Sequence, residues 1–189
     1  MSRKKDNAEI IFFKESVLKI AELLFDKPNI TFHIRGLAKA AGVSTTAVVR
    51  AVEELQKHEI IIVEKTAVTT NVKANVESEA YRFYKKIINL YRLERYKITS
   101  TLKEIYRAKA MVLFGSFAKG EDVEESDVDI LVLTNHKDTR DISDYLAECE
   151  KRLNRRINLQ VLSSLEKSSP EFKNAIANGI VLHGYVKVV

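Results

Sequence analysis

The chain of 189 residues is 46% hydrophobic and 30% charged, a composition typical of a soluble globular protein with one large domain or two small ones. No apolar run is long enough to span a bilayer, and the polar start MSRKKDNAE has no signal-peptide core. We therefore expect a cytoplasmic protein with no membrane partner. The single cysteine, Cys149, excludes an internal disulfide and lies on the apolar stripe of a predicted helix, where it should pack in the core.

The net charge of +5 is distributed unevenly along the chain. Residues 1–109 contain 21 Lys and Arg against 13 Asp and Glu, whereas the remaining residues contain 10 against 13. A basic half favours a polyanionic partner, and an acidic half is compatible with binding of a divalent cation. The alternative is ordinary solvated surface charge.

Three amphipathic helices and two strands are predicted in the first 75 residues. The helices are Glu9 to Asp26, Ile34 to Ala41 and Thr45 to His58, and the strands are Ile60 to Val63 and Val68 to Val72. Gly42 should end the second helix and Ser44 should cap the third. On the segment AKAAGVSTTAVVRAVEELQKHEIII, residues 9–75 resemble a winged helix-turn-helix domain. Glu59 stands where such domains often have glycine, and the wing tip contains neither glycine nor proline.

This resemblance implies that the third helix enters the major groove of DNA. Its apolar residues Val48, Val52 and Leu55 should pack inward. The side chains with an implied role in DNA binding are Thr45, Thr46 and Arg50 near base edges, with Lys39, Lys57 or Lys65 near phosphates. The alternative is a winged helix that serves only in dimerisation or in binding a protein. Because winged-helix proteins that bind DNA are often dimers, a homodimer is also expected.

Residues 76–109 contain no glycine or proline and are predicted to form one or two long helices that connect two domains. The predicted apolar face consists of Ala80, Phe83, Tyr84, Ile87, Leu90 and Tyr91. The predicted polar face consists of Arg82, Lys85, Lys86, Arg92 and Arg95. We interpret this segment as packing helices that position the domain that follows.

Two apolar runs, Met111 to Phe114 and Val128 to Leu133, predict neighbouring strands of one sheet. Because side chains alternate along a strand, Asp127 and Asp129 should point to the same side. Two carboxylates held this close repel each other, which is reasonable mainly when a cation lies between them. Gly115 and Ser116, directly after the first strand, supply a backbone that can approach a phosphate closely and a hydroxyl group.

The sequence Gly115-Ser116-Phe117-Ala118-Lys119-Gly120, followed by Ser126-Asp127-Val128-Asp129-Ile130, resembles the signature of polymerase-beta-like nucleotidyltransferases, in particular their minimal branch. The resemblance implies that Gly115, Ser116 and Lys119 hold a nucleoside triphosphate, with ATP the expected one. It implies that Asp127 and Asp129 are the catalytic residues and bind Mg²⁺. Some minimal members modify a partner protein, commonly a toxin, and others modify small molecules.

A third carboxylate completes the metal site in that family, and the matching position in the predicted strand Ile157 to Leu162 is Asn158. An amide oxygen can coordinate Mg²⁺ but brings no charge and cannot act as a base. Three interpretations stay open: an enzyme with a weakened or single metal site, a nucleotide-binding protein without turnover, or a third carboxylate supplied from elsewhere. The acidic run Glu121 to Glu125 is expected to form a solvated loop beside this site.

The remaining predicted elements are helices from Asp138 to Leu153 and from Pro170 to about Gly179, and a last strand from Ile180 to Leu182. The sequence thus predicts an α/β (α+β) protein with a winged helix-turn-helix at residues 1–75, a helical connector at 76–109 and a nucleotidyltransferase domain with a mixed sheet at 110–189. The expected function is Mg²⁺-dependent transfer of a nucleoside monophosphate to a protein or small molecule. The alternative is a DNA-binding transcriptional regulator, or an antitoxin-like protein, with a catalytically impaired nucleotide-binding domain.

Overall fold

A computed structural model describes residues 14–136 and 141–187. The chain divides into two compact units, Met1–Tyr81 and Arg82–Val189. The predicted starts of two helices, Glu9 and Asp138, lie outside the described residues. No helix within the described part of the chain is long and apolar enough to cross a membrane.

The first unit has the order of elements of a winged helix-turn-helix domain, as predicted. Its elements are α1 (Glu15–Asp26), β1 (Phe32–His33), α2 (Ile34–Ala41), α3 (Thr45–Lys57), β2 (Ile61–Lys65) and β3 (Thr70–Ala74). The strands form an antiparallel sheet in the order β1-β3-β2. Gly42 ends α2 in the left-handed conformation, and Ser44 caps α3 by accepting a hydrogen bond from the Ala47 amide. The predicted inward face of α3 is confirmed, since Val48, Val52 and Leu55 are buried.

Two details explain how this unit forms its wing without the expected glycines. Glu59 adopts a left-handed backbone with φ of 58°, the conformation that favours glycine. The Asn75 side chain donates a hydrogen bond to the Glu59 carbonyl, which ties this strained position to the end of β3. At the wing tip, the Thr66 hydroxyl accepts a hydrogen bond from the Thr69 amide at 2.9 Å and closes the turn.

The second unit contains most of α4 (Glu79–Arg95) and the rest of the chain. The following elements are α5 (Ile98–Tyr106), β4 (Ala110–Phe114), α6 (Gly115–Lys119), β5 (Val128–Leu133), α7 (Ser143–Leu153), β6 (Ile157–Leu162), α8 (Pro170–Ala177) and β7 (Ile180–Gly184). The strands form a mixed sheet in the order β6-β5-β4-β7, in which only the β5–β6 pair is parallel. Residues 82–109 pack as part of this unit, and the division of the chain into functional domains stays a prediction.

Alternating residues of the central strands build a core on each face of this sheet. Met111 and Leu113 join a cluster with residues of α5 and α7, including the buried Cys149. Val112 and Phe114 join a second cluster with Ile176 of α8. Because both faces are covered, β4 is buried along its whole length and the polar residues that follow it are held on a rigid support.

The predicted apolar face of α4 is wrong. Phe83 and Tyr91 are 58% and 44% exposed, whereas Lys85 and Arg92 from the predicted polar face are buried. Asn89, which was assigned to neither face, is buried as well. The reason is specific pairing, because Lys85 and Asn89 find buried acceptors in the loop after α6. These tertiary contacts override the hydrophobic periodicity of the helix.

Candidate active site

Asp129 lies on the central strand β5, between two strands that carry the other candidate residues. It stands opposite Phe114, the last residue of β4, and opposite Asn158 of β6. The Asn158 amide donates a hydrogen bond from Nδ2 to Asp129 Oδ1 at 2.8 Å. Burial raises the pKa of Asp129, and repulsion from Asp127 raises it further, while the hydrogen bond from Asn158 lowers it. The charged form of this carboxylate is therefore destabilised by its surroundings.

Asp127 directly precedes β5 and lies beside a cation. The Arg156 guanidinium approaches Asp127 Oδ1 with its Nε at 3.2 Å, and the arginine side chain is 81% exposed. Such an exposed ion pair adds little stability. The approach does not have hydrogen-bond geometry, and the buried Oδ1 atom accepts no hydrogen bond from the residues that the structure describes. This oxygen therefore has a lone pair that no donor among the described residues satisfies.

Gly115 forms the floor of the site, because its backbone lies directly against the Asp129 carboxylate. Its φ is +74°, and a Cβ added there would lie 2.2 Å from Asp129 Oδ2. Both the conformation and the space therefore require glycine. Ser116 follows in the short helix α6, and Lys119 is exposed at the end of that helix. The structure thus brings Gly115, Asp129 and Asn158 together, with Ser116 and Asp127 adjacent in the chain.

The predicted DNA-contacting side chains lie on the surface of the first unit. Thr45, Thr46 and Arg50 are exposed on α3, Lys39 is exposed on α2, and Lys57 is exposed at the end of α3. Among the described residues, neither Arg50 nor the two lysines form an ion pair within the chain.

Arg35, which was not among the predicted DNA-contacting residues, is exposed and lines a groove of about 460 Å³ with His33, Thr45 and Thr69. Its position at the start of α2, directly before the helix α3 that carries the predicted DNA-contacting residues, was the available signal.

Comparison with known proteins bears on the second unit. Residues 96–185 match the family model described as "Polymerase beta, Nucleotidyltransferase". In Methanocaldococcus jannaschii, the chain is 37% identical over 82 residues to "Putative protein adenylyltransferase MJ1379", covering 42% of this chain and 81% of that protein. It is 30% identical over 84 residues to "Putative protein adenylyltransferase MJ0128", with 42% and 81% covered. The chain belongs to the polymerase beta nucleotidyltransferase family.

Two solved structures resemble part of the chain. The MarR family transcriptional regulator SPO1453 from Silicibacter pomeroyi DSS-3 matches with a TM-score of 0.36 at 15% identity, over 48% of this chain and 63% of that regulator. The adhesin competence repressor AdcR from Streptococcus pyogenes matches with a TM-score of 0.36 at 21% identity, over 51% of this chain and 70% of that repressor.

The nucleotidyltransferase site fits a single divalent cation. Within the described residues, no three His, Cys, Asp or Glu side chains come together as a metal site, so no third carboxylate joins the pair. Two carboxylates and one amide oxygen are hard oxygen ligands of the kind that Mg²⁺ prefers. The buried Oδ1 of Asp127 without a hydrogen bond is available to such an ion. Asp127, Asp129 and the Asn158 carbonyl are therefore the residues that could hold Mg²⁺.

The expectation of a solvated loop at Glu121 to Glu125 is wrong for Asp122, which is fully buried. Its Oδ1 accepts a hydrogen bond from Asn89 Nδ2 at 2.9 Å and lies 3.5 Å from Lys85 Nζ, while its Oδ2 lies 3.7 Å from Arg155 Nη2. Burial raises the pKa of Asp122, although Lys85, Asn89 and Arg155 all act in the opposite direction. The local sequence signal for this burial was Gly120. It lies so close to α4 that a Cβ there would be 2.5 Å from the backbone of that helix.

An open groove of about 430 Å³ adjoins the nucleotidyltransferase site. It is lined by Asp127 and Arg156 and by the acidic residues Glu124, Glu125 and Glu150. The mixture of one exposed guanidinium with several carboxylates offers both signs of charge beside Asp127. The groove therefore provides space next to Asp127 for part of a bound molecule.

Proposed function

We propose that this protein is a Mg²⁺-dependent nucleotidyltransferase that transfers a nucleoside monophosphate from a nucleoside triphosphate to an acceptor. Gly115, Ser116 and Lys119 hold the triphosphate, and Asp127 and Asp129 hold the metal, with the Asn158 amide oxygen as a neutral ligand. The observation that carries this proposal is the contact between Gly115 and Asp129, where a Cβ would lie 2.2 Å from the carboxylate. That contact places the turn that begins α6 directly beside Asp129, so a phosphate bound to this turn would lie next to the proposed metal-binding carboxylates.

In the proposed reaction, an acceptor hydroxyl oxygen attacks the α-phosphorus, a new P–O bond forms, the bond to the leaving pyrophosphate breaks, and the hydroxyl proton passes to solvent. Bound Mg²⁺ would neutralise charge that develops on the transferred group. Asn158 is an amide and cannot remove the acceptor's proton. The residues present therefore contribute mainly by positioning the reactants and by electrostatics, as is general in phosphoryl transfer.

The names of the curated relatives support an adenylyl group as the transferred moiety and a protein as the acceptor. ATP is accordingly the proposed nucleotide. A toxin as that protein acceptor, a cytoplasmic location and a homodimer stay predictions from the sequence.

Calorimetric titration of ATP and other nucleoside triphosphates, with and without Mg²⁺, tests this proposal. The wild-type protein should bind ATP in a Mg²⁺-dependent manner, and Asp127→Ala should lose that binding. Asp144→Ala, which removes an exposed aspartate on α7, is the matched control and should bind normally. No binding of any nucleotide, or equal binding by Asp127→Ala, would overturn the proposal.

A second proposed function is DNA binding by the first unit, acting as a transcriptional regulator whose second unit senses nucleotide. It is supported by exposed Arg50, Lys39 and Lys57 on the helix-turn-helix, none of which is paired within the described chain. Binding to duplex DNA at low salt should weaken in Arg50→Ala and should fall steeply as salt rises. Glu53→Gln removes a negative charge from the same exposed face of α3, and this variant should bind DNA more tightly. Absence of binding at low salt would contradict this function.

A further inference from the structure

Three segments that lead into the candidate active site meet at one buried carboxylate. Asp122 and Lys85 are each about 1% exposed, and Arg155 is 4% exposed. Lys85 Nζ also donates a hydrogen bond to the Asp122 carbonyl, so both the side chain and the backbone of this residue are held. Asp122 is therefore fixed from α4 and from the residue before Arg156 at the same time.

The first segment is the loop that runs from Asp122 to Asp127. The Val123 amide donates a hydrogen bond to Ser126 Oγ at 2.9 Å, and the Ser126 amide donates one to the Val123 carbonyl at 3.0 Å. These two bonds close a tight turn between the two aspartates. With the turn closed, the position of Asp122 determines where the Asp127 carboxylate lies.

The second segment is the start of β6. Arg155 directly precedes Arg156, which pairs with Asp127 and whose carbonyl accepts a hydrogen bond from the Val128 amide at 2.8 Å. Asn158, the partner of Asp129, follows two residues later on the same strand. Anchoring Arg155 to Asp122 thus sets the register between β5 and β6 at the site.

The third segment is α6, the helix that begins with Gly115. Asn89 Nδ2 donates to Asp122 Oδ1 at 2.9 Å and also to the Phe117 carbonyl of α6 at 2.9 Å. A single amide therefore connects the proposed phosphate-binding turn with the buried carboxylate.

Stability alone does not account for this cluster. Replacing buried ion pairs by neutral side chains of similar volume is often neutral or stabilising, because the desolvation of the charges offsets their attraction. The contacts of Asp122 with α4 and Arg155 instead connect separate elements, and the hydrogen bonds from Lys85 and Asn89 have preferred directions that apolar contacts lack.

We propose that Lys85, Asp122 and Arg155 are positioning residues, which keep Asp127 and Asn158 at the spacing that Mg²⁺ and the nucleotide require. This inference rests on the proposed nucleotidyltransferase function for its activity readout. Lys85 and Asp122 are about 1% exposed, and Arg155, which lines the groove beside Asp127, is 4% exposed. They act through the turn at residues 123–126 and through Arg156.

The test compares three forms of the full chain with the wild type. Asp122→Asn removes the charge and leaves two buried cations, while Lys85→Met/Asp122→Asn/Arg155→Met removes all three charges at nearly constant volume. Glu121→Gln is the matched control, because it makes the same carboxylate-to-amide change at an exposed neighbour. Thermal unfolding reports whether each variant folds.

The triple variant should stay folded, although it loses the buried hydrogen bond from Lys85 to the Asp122 carbonyl. It should bind Mg²⁺–ATP about 10- to 100-fold more weakly, as is usual when the supports of metal ligands are removed. Binding of ATP without Mg²⁺ should change much less. The Glu121→Gln control should keep wild-type affinity. A stable triple variant with wild-type affinity for Mg²⁺–ATP would overturn the inference.

Amide hydrogen exchange separates this inference from the proposed function. In the triple variant, exchange should increase in residues 121–128 and 155–158 and stay unchanged in β4, even if wild-type protein binds no nucleotide. Unchanged exchange in those two segments would refute the positioning role. Absence of nucleotide binding by the wild type would instead refute the proposed function alone.

Discussion

Replacing Asn158 by aspartate should make the protein less stable without metal and more responsive to Mg²⁺. The change removes the 2.8 Å hydrogen bond from Asn158 Nδ2 to Asp129 Oδ1. It also places a third negative charge next to Asp129 and Asp127. Both effects act against the folded state, because unfolding separates the three carboxylates.

The size of the effect follows from these two contributions. A hydrogen bond to a charged group contributes about 1.5–3 kcal/mol. Two like charges about 4 Å apart repel by about 4 kcal/mol at an effective dielectric constant near 20, and solvent screening at the exposed Asn158 reduces this. We expect a net loss of about 2–4 kcal/mol, which lowers the unfolding temperature of a small domain by roughly 10 °C or more.

Differential scanning calorimetry of the full chain in EDTA and in Mg²⁺ measures this, and it resolves the two compact units if they unfold separately. Saturating Mg²⁺ at about 100 times its Kd should restore about 2.7 kcal/mol to Asn158→Asp. Asn158→Ala is the control, since it loses the hydrogen bond without adding charge and should gain much less from the same Mg²⁺ concentration. An Asn158→Asp protein as stable as wild type in EDTA, with no response to Mg²⁺, would refute the reasoning.

Three further predictions test the site and the orientation of α4. Gly115→Ala should abolish Mg²⁺-dependent ATP binding in calorimetry, because its Cβ would displace the Asp129 carboxylate, whereas Gly36→Ala has free space and should change stability by no more than about 1 kcal/mol. The pKa of Asp129 is raised above 3.8 in the folded protein, so the folded protein binds this proton more tightly than the unfolded chain does. As pH rises above 3.8, the free energy of unfolding of the wild type should therefore fall relative to that of Asp129→Asn. Urea unfolding without metal measures this, and a difference of the opposite sign would contradict the raised pKa. Ile88→Ala should cost about 2–5 kcal/mol and Phe83→Ala less than about 1 kcal/mol, and the reverse order in urea unfolding would contradict the observed burial of α4.

Local signals in the sequence were sufficient where the structure depends on neighbours in the chain. The apolar run before Gly115 predicted β4 to within one residue at its start, and the run after Asp127 predicted β5 with the observed bounds. Both were predictable because alternation and flanking turn residues are local properties. The cap at Ser44 and the glycine at Gly42 likewise marked the turn between the two helices of the helix-turn-helix. Fold class therefore followed from short-range patterns.

Long-range pairing could not be predicted in the same way. Asp122 looked like one member of a solvated acidic run, and its burial depends on partners 37 and 33 residues away, at Lys85 and Asn89. Because Lys85 and Asn89 bond to Asp122, the side of α4 that carries them is buried and Phe83 is exposed to solvent. A periodicity argument counts Lys85 as polar and therefore exposed, and it has no means of recognising a buried acceptor elsewhere in the chain. Glu59 shows a related limit, since its left-handed backbone is held by the side chain of Asn75.

Asn158 connects the electrostatics of the site with the order in which its ligands should bind. With an amide at this position the pair of aspartates carries two negative charges, and Asp129 keeps a hydrogen-bond donor when no metal is present. Having an amide and not a third carboxylate at this position also weakens the attraction of the site for free Mg²⁺. A triphosphate brings its own negative oxygens, so the metal should bind well only together with the nucleotide. In the calorimetric titration of the wild type, Mg²⁺ alone should therefore give far weaker binding than Mg²⁺ with ATP, and Asn158→Asp should narrow that difference.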